Sequence, residues 1–240
     1  MNIHNPTWRR RLLISVAFAG IAAVGALVAL QIRSPAGSDA SPTIDTTVDE
    51  EEARSLEKLQ SSLKNSLVLP SNFRKMPEFT LSDVDGEPLT ERMFDRHWSL
   101  VFFGFTSCPD VCPTTLTVVN GVVERLEEEG AEQPQVVFIT VDPARDTASQ
   151  MKDYVAYLNK DFGGVTGEQT ALHELTKELG IVVVFTANDE NPEAYTVDHT
   201  ASLLLIDPER RVRAKLNAPH EVETIVADYI ELRTGLDKLN

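Results

Sequence analysis

The sequence predicts an α/β domain with a mixed central sheet flanked by helices, preceded by a single transmembrane helix. Apolar runs typical of buried strands alternate with segments of helical periodicity, two adjacent strand-like runs come late in the chain, and one long apolar stretch lies near the N-terminus. The chain has 240 residues and a formal net charge of −15. Such an acidic body repels phosphate backbones, so we expect no nucleic-acid partner.

The N-terminal apolar stretch predicts a membrane anchor. Three arginines, Arg9 to Arg11, precede residues 12–30, whose one polar side chain is Ser15. A helix of this length spans roughly 28 Å, about one hydrocarbon core. We assign residues 1–11 to a cytoplasmic N-terminus and residues 12–32 to the anchor. The positive-inside rule then places the rest of the chain across the membrane.

Two alternatives for this segment remain open, and both still export the domain. A cleaved secretory signal normally has a shorter apolar core, of about 7–15 residues. The basic run before the stretch also resembles a twin-arginine export signal.

The region after the anchor is acidic and carries few hydrophobic residues. Residues 33–72 include the run Asp49-Glu50-Glu51-Glu52, and we predict a solvated tether there. A weak helical pattern from Arg54 to Leu69 suggests a lead-in helix within it. The globular domain is predicted to occupy residues 73–240.

The elements of the predicted domain alternate in type. An Asp85-Gly86 turn between Leu81 and Leu89 predicts a hairpin. The buried strands are predicted at residues 100–105, 136–141, 181–185, 202–206 and 211–216. The helices are predicted at residues 116–126, 151–158, 172–179 and 222–230. This order is that of the thioredoxin-like fold, with additions before the first core strand and before the late hairpin.

Two cysteines follow the first buried strand, where a helix is predicted to begin. Cys108 and Cys112 therefore lie at the carboxyl end of a central strand, where open α/β sheets place ligands. We expect the positive end of the helix dipole to favour their thiolates. The pair could bind a metal, act as a redox pair or form a structural disulfide. A disulfide across adjacent helical turns would require local unwinding of the helix.

A histidine can reach the same edge of the sheet. The segment Thr196-Val-Asp198-His199-Thr200 comes directly before the strand at 202–206. If that strand runs antiparallel beside the first one, His199 approaches both cysteines. Two thiolates and one imidazole are one ligand short of a typical structural zinc site, and they suit Cu(I). We therefore predict a copper site made of Cys108, Cys112 and His199.

Three motifs, CPDVCP, VDPARDT and VDHT, in this order behind a single anchor, resemble those of the Sco/SenC copper chaperones. The resemblance covers about residues 76–233. It implies a thioredoxin-like fold facing the bacterial periplasm, or the mitochondrial intermembrane space, from the inner membrane. It also implies copper, as Cu(I) with Cu(II) as a second candidate, held by Cys108, Cys112 and His199. Many relatives carry a histidine where this chain has Ser107, which should leave the ligand set intact.

The resemblance also implies partners. Family members deliver copper to the binuclear copper site of cytochrome c oxidase subunit II, or keep its thiols reduced. Other copper chaperones are further expected partners. We therefore favour a membrane-tethered assembly factor over a turnover enzyme. The alternatives are a thiol-disulfide oxidoreductase acting through Cys108 and Cys112, and an anchored interaction domain with an inert disulfide.

Three aspartates are secondary candidates. Asp142 and Asp146 follow the second strand, where we expect helix initiation, with Asp146 or Thr147 as the N-cap and Asp142 in a turn. A role in shaping the metal pocket is the alternative. Asp198 is a candidate weak ligand for Cu(II) or a partner of the imidazole.

Overall fold

The computed structural model describes residues 50–188 and 194–239. The predicted cytoplasmic segment, the anchor at 12–32 and the first part of the tether lie outside the described residues. Within the described ranges, none of the helices combines the length and apolar character needed to span a bilayer.

The described chain alternates strands and helices. The helices are α1 (Glu50–Ser62), α2 (Val111–Glu128), α3 (Ala148–Leu158), α4 (Gln169–Leu179) and α5 (Val222–Leu236). The first strands are β1 (Ser66–Val68), β2 (Thr80–Asp83), β3 (Pro88–Thr90), β4 (Ser99–Gly104) and β5 (Gln135–Thr140). The later strands are β6 (Gly163–Thr166), β7 (Val183–Thr186), β8 (Thr196–His199), β9 (Leu203–Ile206) and β10 (Val212–Leu216). A short 3₁₀ helix, Glu91–Phe94, follows β3.

The main sheet has eight strands in the order β1-β10-β9-β4-β5-β6-β2-β3. Its central strand, β4, is parallel to β5 and antiparallel to β9, so the sheet is mixed as predicted. Every residue of β4 is buried, which explains the continuous apolar run in its sequence from Leu100 onward. Helix α2 packs against α3 and α5. The predicted mixed α/β fold is confirmed.

The prediction of a tether is wrong for residues 50–72, because this segment is part of the domain. Leu56 and Leu59 of α1 are buried, and α1 packs against α5. Strand β1 pairs antiparallel with β10 at the edge of the sheet. The acidic run has the composition of a solvated linker, but Glu50 to Glu52 form the first turn of α1. Carboxylates at this position stabilise a helix through its dipole.

Besides β1, two further strands were absent from the sequence prediction. Strand β6 begins with two glycines, Gly163 and Gly164, which weaken the strand signal, and it pairs with both β5 and β2. The sequence predicts β8 only as a segment that leads into β9. It pairs instead with β7, and these two strands form a separate two-stranded ribbon in which Val183 lies opposite His199.

Candidate metal centre

The end of β4 leads directly to the two cysteines. The backbone N–H of Cys108 donates to the carbonyl of Phe105 at 3.2 Å, which forms a turn before α2 begins at Val111. Cys108 therefore precedes the helix, and Cys112 lies in its first turn. A Cβ atom on Gly104 would lie 2.8 Å from the Cys112 sulfur, so the close approach of β4 to this sulfur requires a glycine.

The antiparallel arrangement of β4 and β9 brings His199 to the cysteines, as the sequence predicts. Phe102 of β4 lies opposite Leu203 of β9, so the chain entering β9 lies near the end of β4. The Nε2 atom of His199 is 3.4 Å from the Sγ atom of Cys112. One ligand atom each from Cys108, Cys112 and His199 lies within 4.8 Å of the others. Both thiols are free.

The surroundings of His199 prepare its imidazole to bind a metal. Its Nδ1 atom lies 3.1 Å from the carbonyl oxygen of Thr200, which can accept a hydrogen bond but cannot donate one. Nδ1 therefore carries the hydrogen, and the lone pair of Nε2 points towards the cysteines. Burial lowers the pKa of His199, although the Thr200 hydrogen bond opposes the shift. The rings of Phe102 and Phe105 pack edge-on against the imidazole. The neutral form, which is the ligand form, is favoured.

The two thiols differ in environment. Cys112 is fully buried, whereas Cys108 is partly exposed. Burial raises the pKa of the Cys112 thiol well above its ordinary value, and a hydrogen bond with the Phe105 backbone opposes the rise only in part. The expectation that the helix start favours both thiolates is therefore wrong for Cys112, because desolvation outweighs the helix dipole. A cation bound at this position would have to displace the thiol proton.

An open cavity of about 250 Å³ gives access to the site. Cys108 and His199 lie in its wall beside the apolar side chains of Val111 and Val197. The carboxylates in its lining belong to Asp110 and Asp198. Asp198 is exposed, and the imidazole Nδ1 faces the Thr200 carbonyl instead. The hydrogen-bond partner of the imidazole is therefore Thr200, and the charge of Asp198 acts on the imidazole only through space.

Asp146 fixes the loop that leads to Cys108. Its buried carboxylate accepts hydrogen bonds from the Thr106 backbone N–H at 3.0 Å and from the Thr106 hydroxyl at 2.6 Å. It also accepts a hydrogen bond from the Thr140 hydroxyl at 2.6 Å. The N-cap of α3 is Thr147, which forms a capping box with Gln150. Thr147 thus has the predicted capping role, while Asp146 binds the segment that leads to Cys108.

Asp142 lies in the expected turn but also makes side-chain contacts with the segment that carries His199. Its backbone carbonyl accepts from the N–H groups of Arg145 and Asp146. Its buried carboxylate accepts from the Arg145 Nε and, at 2.6 Å, from the hydroxyl of Tyr195. The sequence interpretation did not include Arg145 or Tyr195. The signal for them was an arginine inside the VDPARDT motif and an aromatic residue just ahead of VDHT.

The comparisons with known proteins fit this arrangement. The sequence model of the SCO1/SenC family matches residues 69–233. The chain belongs to this family. The match begins near the end of β1 and includes all three residues of the candidate centre.

Individual members of the SCO1/SenC family are similar to this chain in sequence and in structure. A protein of Stutzerimonas stutzeri that is named for copper binding is 38% identical over 159 residues, which cover 66% of this chain and 76% of the relative. The mitochondrial SCO1 homolog 1 of Arabidopsis thaliana is 30% identical over 153 residues, or 64% of this chain and 45% of that protein. The copper-bound crystal structure of Arabidopsis thaliana ScoI superimposes with a TM-score of 0.63 at 28% identity, covering 67% of this chain and 99% of that chain.

Proposed function

We propose that this SCO1/SenC protein is a membrane-tethered copper chaperone for cytochrome c oxidase assembly. It delivers copper to the binuclear copper site of subunit II or keeps the thiols of that site reduced. The observation that carries the proposal is the convergence of Cys108, Cys112 and His199, whose ligand atoms lie within 4.8 Å of one another. The copper-bound structures of relatives support the choice of metal.

The donor set favours Cu(I). Thiolates are soft ligands, and Cu(I) accepts three-fold coordination, whereas a structural zinc site usually takes four protein ligands. The rings of Phe102 and Phe105 pack against the imidazole and make its surroundings partly apolar. Asp198, in the wall of the cavity, remains a candidate weak ligand for Cu(II).

The difference in exposure between the thiols suits metal exchange. Cys108 is partly exposed at the cavity, so a thiolate of a partner can reach a metal there while Cys112 and His199 still hold it. The net charge of −15 favours encounter with a basic docking patch on subunit II or on another copper chaperone.

The location is part of the same proposal. An uncleaved anchor at residues 12–32 would hold the protein in the inner membrane, with the metal site in the periplasm, or in the intermembrane space of a mitochondrion. Two of the relatives have mitochondrial names, which supports a mitochondrial location for those proteins.

The test is copper transfer by the purified full chain. We load the protein with Cu(I) and mix it with the metal-free soluble domain of a subunit II protein. The wild type should transfer copper, whereas the matched variant Cys108→Ala should retain too little copper to transfer it. Wild-type protein that retains no Cu(I) would overturn the proposal, whereas protein that holds Cu(I) without any transfer to subunit II would exclude the delivery role.

A thiol-disulfide oxidoreductase is the second candidate, and the proximity of the two free thiols favours it. In that reaction the Cys108 thiolate would attack a substrate disulfide and release one substrate thiol. Cys112 would then resolve the mixed disulfide, release the second thiol and leave an oxidised Cys108–Cys112 pair for an external dithiol to reduce. Fast turnover of a disulfide substrate with such a reductant, without copper retention, would favour this candidate.

A further inference from the structure

Tyr195 lies at the start of the segment that carries His199, and one loop holds it in three ways. Its hydroxyl donates to the buried carboxylate of Asp142 at 2.6 Å. Its ring lies 4.0 Å from the guanidinium carbon of Arg145, which places a cation over the aromatic face. Its carbonyl accepts a hydrogen bond from Arg145 Nη1 at 3.2 Å. Tyr195 is thus attached to the loop by its hydroxyl, its ring and its backbone.

The strand that ends at His199 needs such an attachment. Strand β8 pairs with β7 in a ribbon that is separate from the eight-stranded sheet, so the ladder of the main sheet does not fix its position. Three residues of β7 and its entry, Val182, Val184 and Phe185, are largely exposed. The link into β9 fixes the end of β8, and side-chain contacts help to hold the rest of the ribbon. Val197, which is buried, supplies a contact within β8. Tyr195 supplies the contacts at the beginning of the strand.

The loop that holds Tyr195 also holds the cysteine segment. Asp142 and Arg145 bind Tyr195, while Asp146 binds Thr106, two residues before Cys108. The ring of Phe105 contacts both the loop and His199. Its centroid lies 5.6 Å from the guanidinium carbon of Arg145 and 5.9 Å from the centroid of the His199 ring. The same five residues, 142–146, therefore set the position of both ligand-bearing segments.

We infer that Tyr195 is a positioning residue for His199. By tying the start of β8 to the Asp142–Arg145 loop, it holds the imidazole beside Cys112 before any metal arrives. A site that is already ordered does not lose further conformational entropy when the metal binds, so the attachment increases metal affinity without contact with the metal. This inference rests on the proposed copper binding only for its affinity readout. The ordering of β8 is a property of the metal-free protein.

The experiment uses two substitutions of Tyr195 in the full chain. Tyr195→Phe removes the hydroxyl and keeps the ring over Arg145, whereas Tyr195→Leu removes both. The matched controls are Tyr157→Phe and Tyr157→Leu, because Tyr157 on α3 is 89% exposed. In metal-free protein, hydrogen exchange of residues 196–199 should be about tenfold faster in Tyr195→Leu and less accelerated in Tyr195→Phe, with α5 unchanged. The Tyr157 variants should match the wild type.

The affinity readout separates positioning from a general structural role. Tyr195→Leu should weaken Cu(I) binding by about tenfold, the lower end of the effect of residues that orient metal ligands. In a His199→Ala background the same substitution should change Cu(I) affinity little, because Tyr195 acts through His199.

Three results would overturn the inference: equal losses of affinity in both backgrounds, unchanged exchange in residues 196–199, or faster exchange throughout α5. If the wild type retains no copper, the proposed function fails, and the exchange measurement alone decides the role of Tyr195.

Discussion

The Nε2 atom of His199 lies 3.4 Å from the Sγ atom of Cys112, although 87 residues separate them in the chain. In the metal-free protein the thiol can donate its hydrogen to the imidazole lone pair. This hydrogen bond keeps the Cys112 sulfur and the His199 Nε2 atom pointed at each other. A metal ion that replaces the thiol proton would find both donors in place.

Removal of the imidazole should weaken copper binding without unfolding the domain. His199→Ala should lower Cu(I) affinity by on the order of 100-fold, since a direct ligand contributes at least as much as the residues that orient it. The measurement is a competition titration with a Cu(I) chelator, with thermal unfolding as the check on folding. His97→Ala is the control, because His97 is exposed and lies outside the site. Equal Cu(I) affinities of the two variants would contradict the ligand assignment.

Gly104→Ala should displace the side chain of Cys112, because the added methyl group needs the space that the Cys112 sulfur occupies. The added Cβ would lie 2.8 Å from both the Cys112 sulfur and Cε2 of Phe138, closer than real contacts allow. Overpacking of this kind costs about 1–3 kcal/mol in the free energy of unfolding. We expect this loss in denaturant titrations, together with weaker Cu(I) binding.

The matched control for this substitution is Gly163→Ala, where the nearest atoms to an added Cβ are 3.6 Å away. That variant should bind Cu(I) as the wild type does. A Gly104→Ala protein with wild-type stability and affinity would show that the packing beneath Cys112 is looser than the structure indicates.

Asp146→Asn should loosen the loop that carries Cys108. The asparagine amide cannot accept all three hydrogen bonds that the carboxylate receives from Thr106 and Thr140. A buried donor left without an acceptor costs about 1–3 kcal/mol. We expect a lower free energy of unfolding and faster hydrogen exchange at Thr106. Asp153→Asn, at an exposed position of α3, should leave both quantities unchanged, and the same result for Asp146→Asn would refute the assigned role.

Copper affinity should rise with pH. Burial raises the pKa of the Cys112 thiol, so this group is protonated in the metal-free protein at neutral pH. Copper binds the thiolate, and each proton displaced makes the apparent Kd fall about tenfold per pH unit. His199 adds no proton release near neutral pH, because burial lowers its pKa and keeps it neutral. A Cu(I) titration from about pH 6 to 8 tests this, and an affinity that does not change with pH would contradict a protonated Cys112.

The sequence predicts the positions of the three candidate ligands well because each sits at a strong signal. Cys108 and Cys112 follow a strand that is apolar from Leu100 onward, and His199 precedes an entirely apolar strand, β9. The antiparallel pairing of β4 and β9 follows from the thioredoxin-like order of elements, so the meeting of the ligands could be predicted.

The rest of the site could not be predicted because it depends on contacts between distant side chains. Strand β8 has weak periodicity and belongs to a ribbon outside the main sheet, so the sequence pattern did not indicate which residues Tyr195 would contact. The high pKa of Cys112 arises from burial by residues far apart in sequence. The lead-in helix was predicted, but its start at Glu50 was not, because its acidic first turn has the composition of a solvated linker.

The most direct test of the copper site is X-ray absorption at the copper edge of the Cu(I)-loaded full chain. The account predicts one copper per chain with two sulfur ligands and one nitrogen ligand, and loss of the nitrogen in His199→Ala. A wild-type spectrum without a nitrogen ligand, or one that His199→Ala leaves unchanged, would contradict a centre built from Cys108, Cys112 and His199.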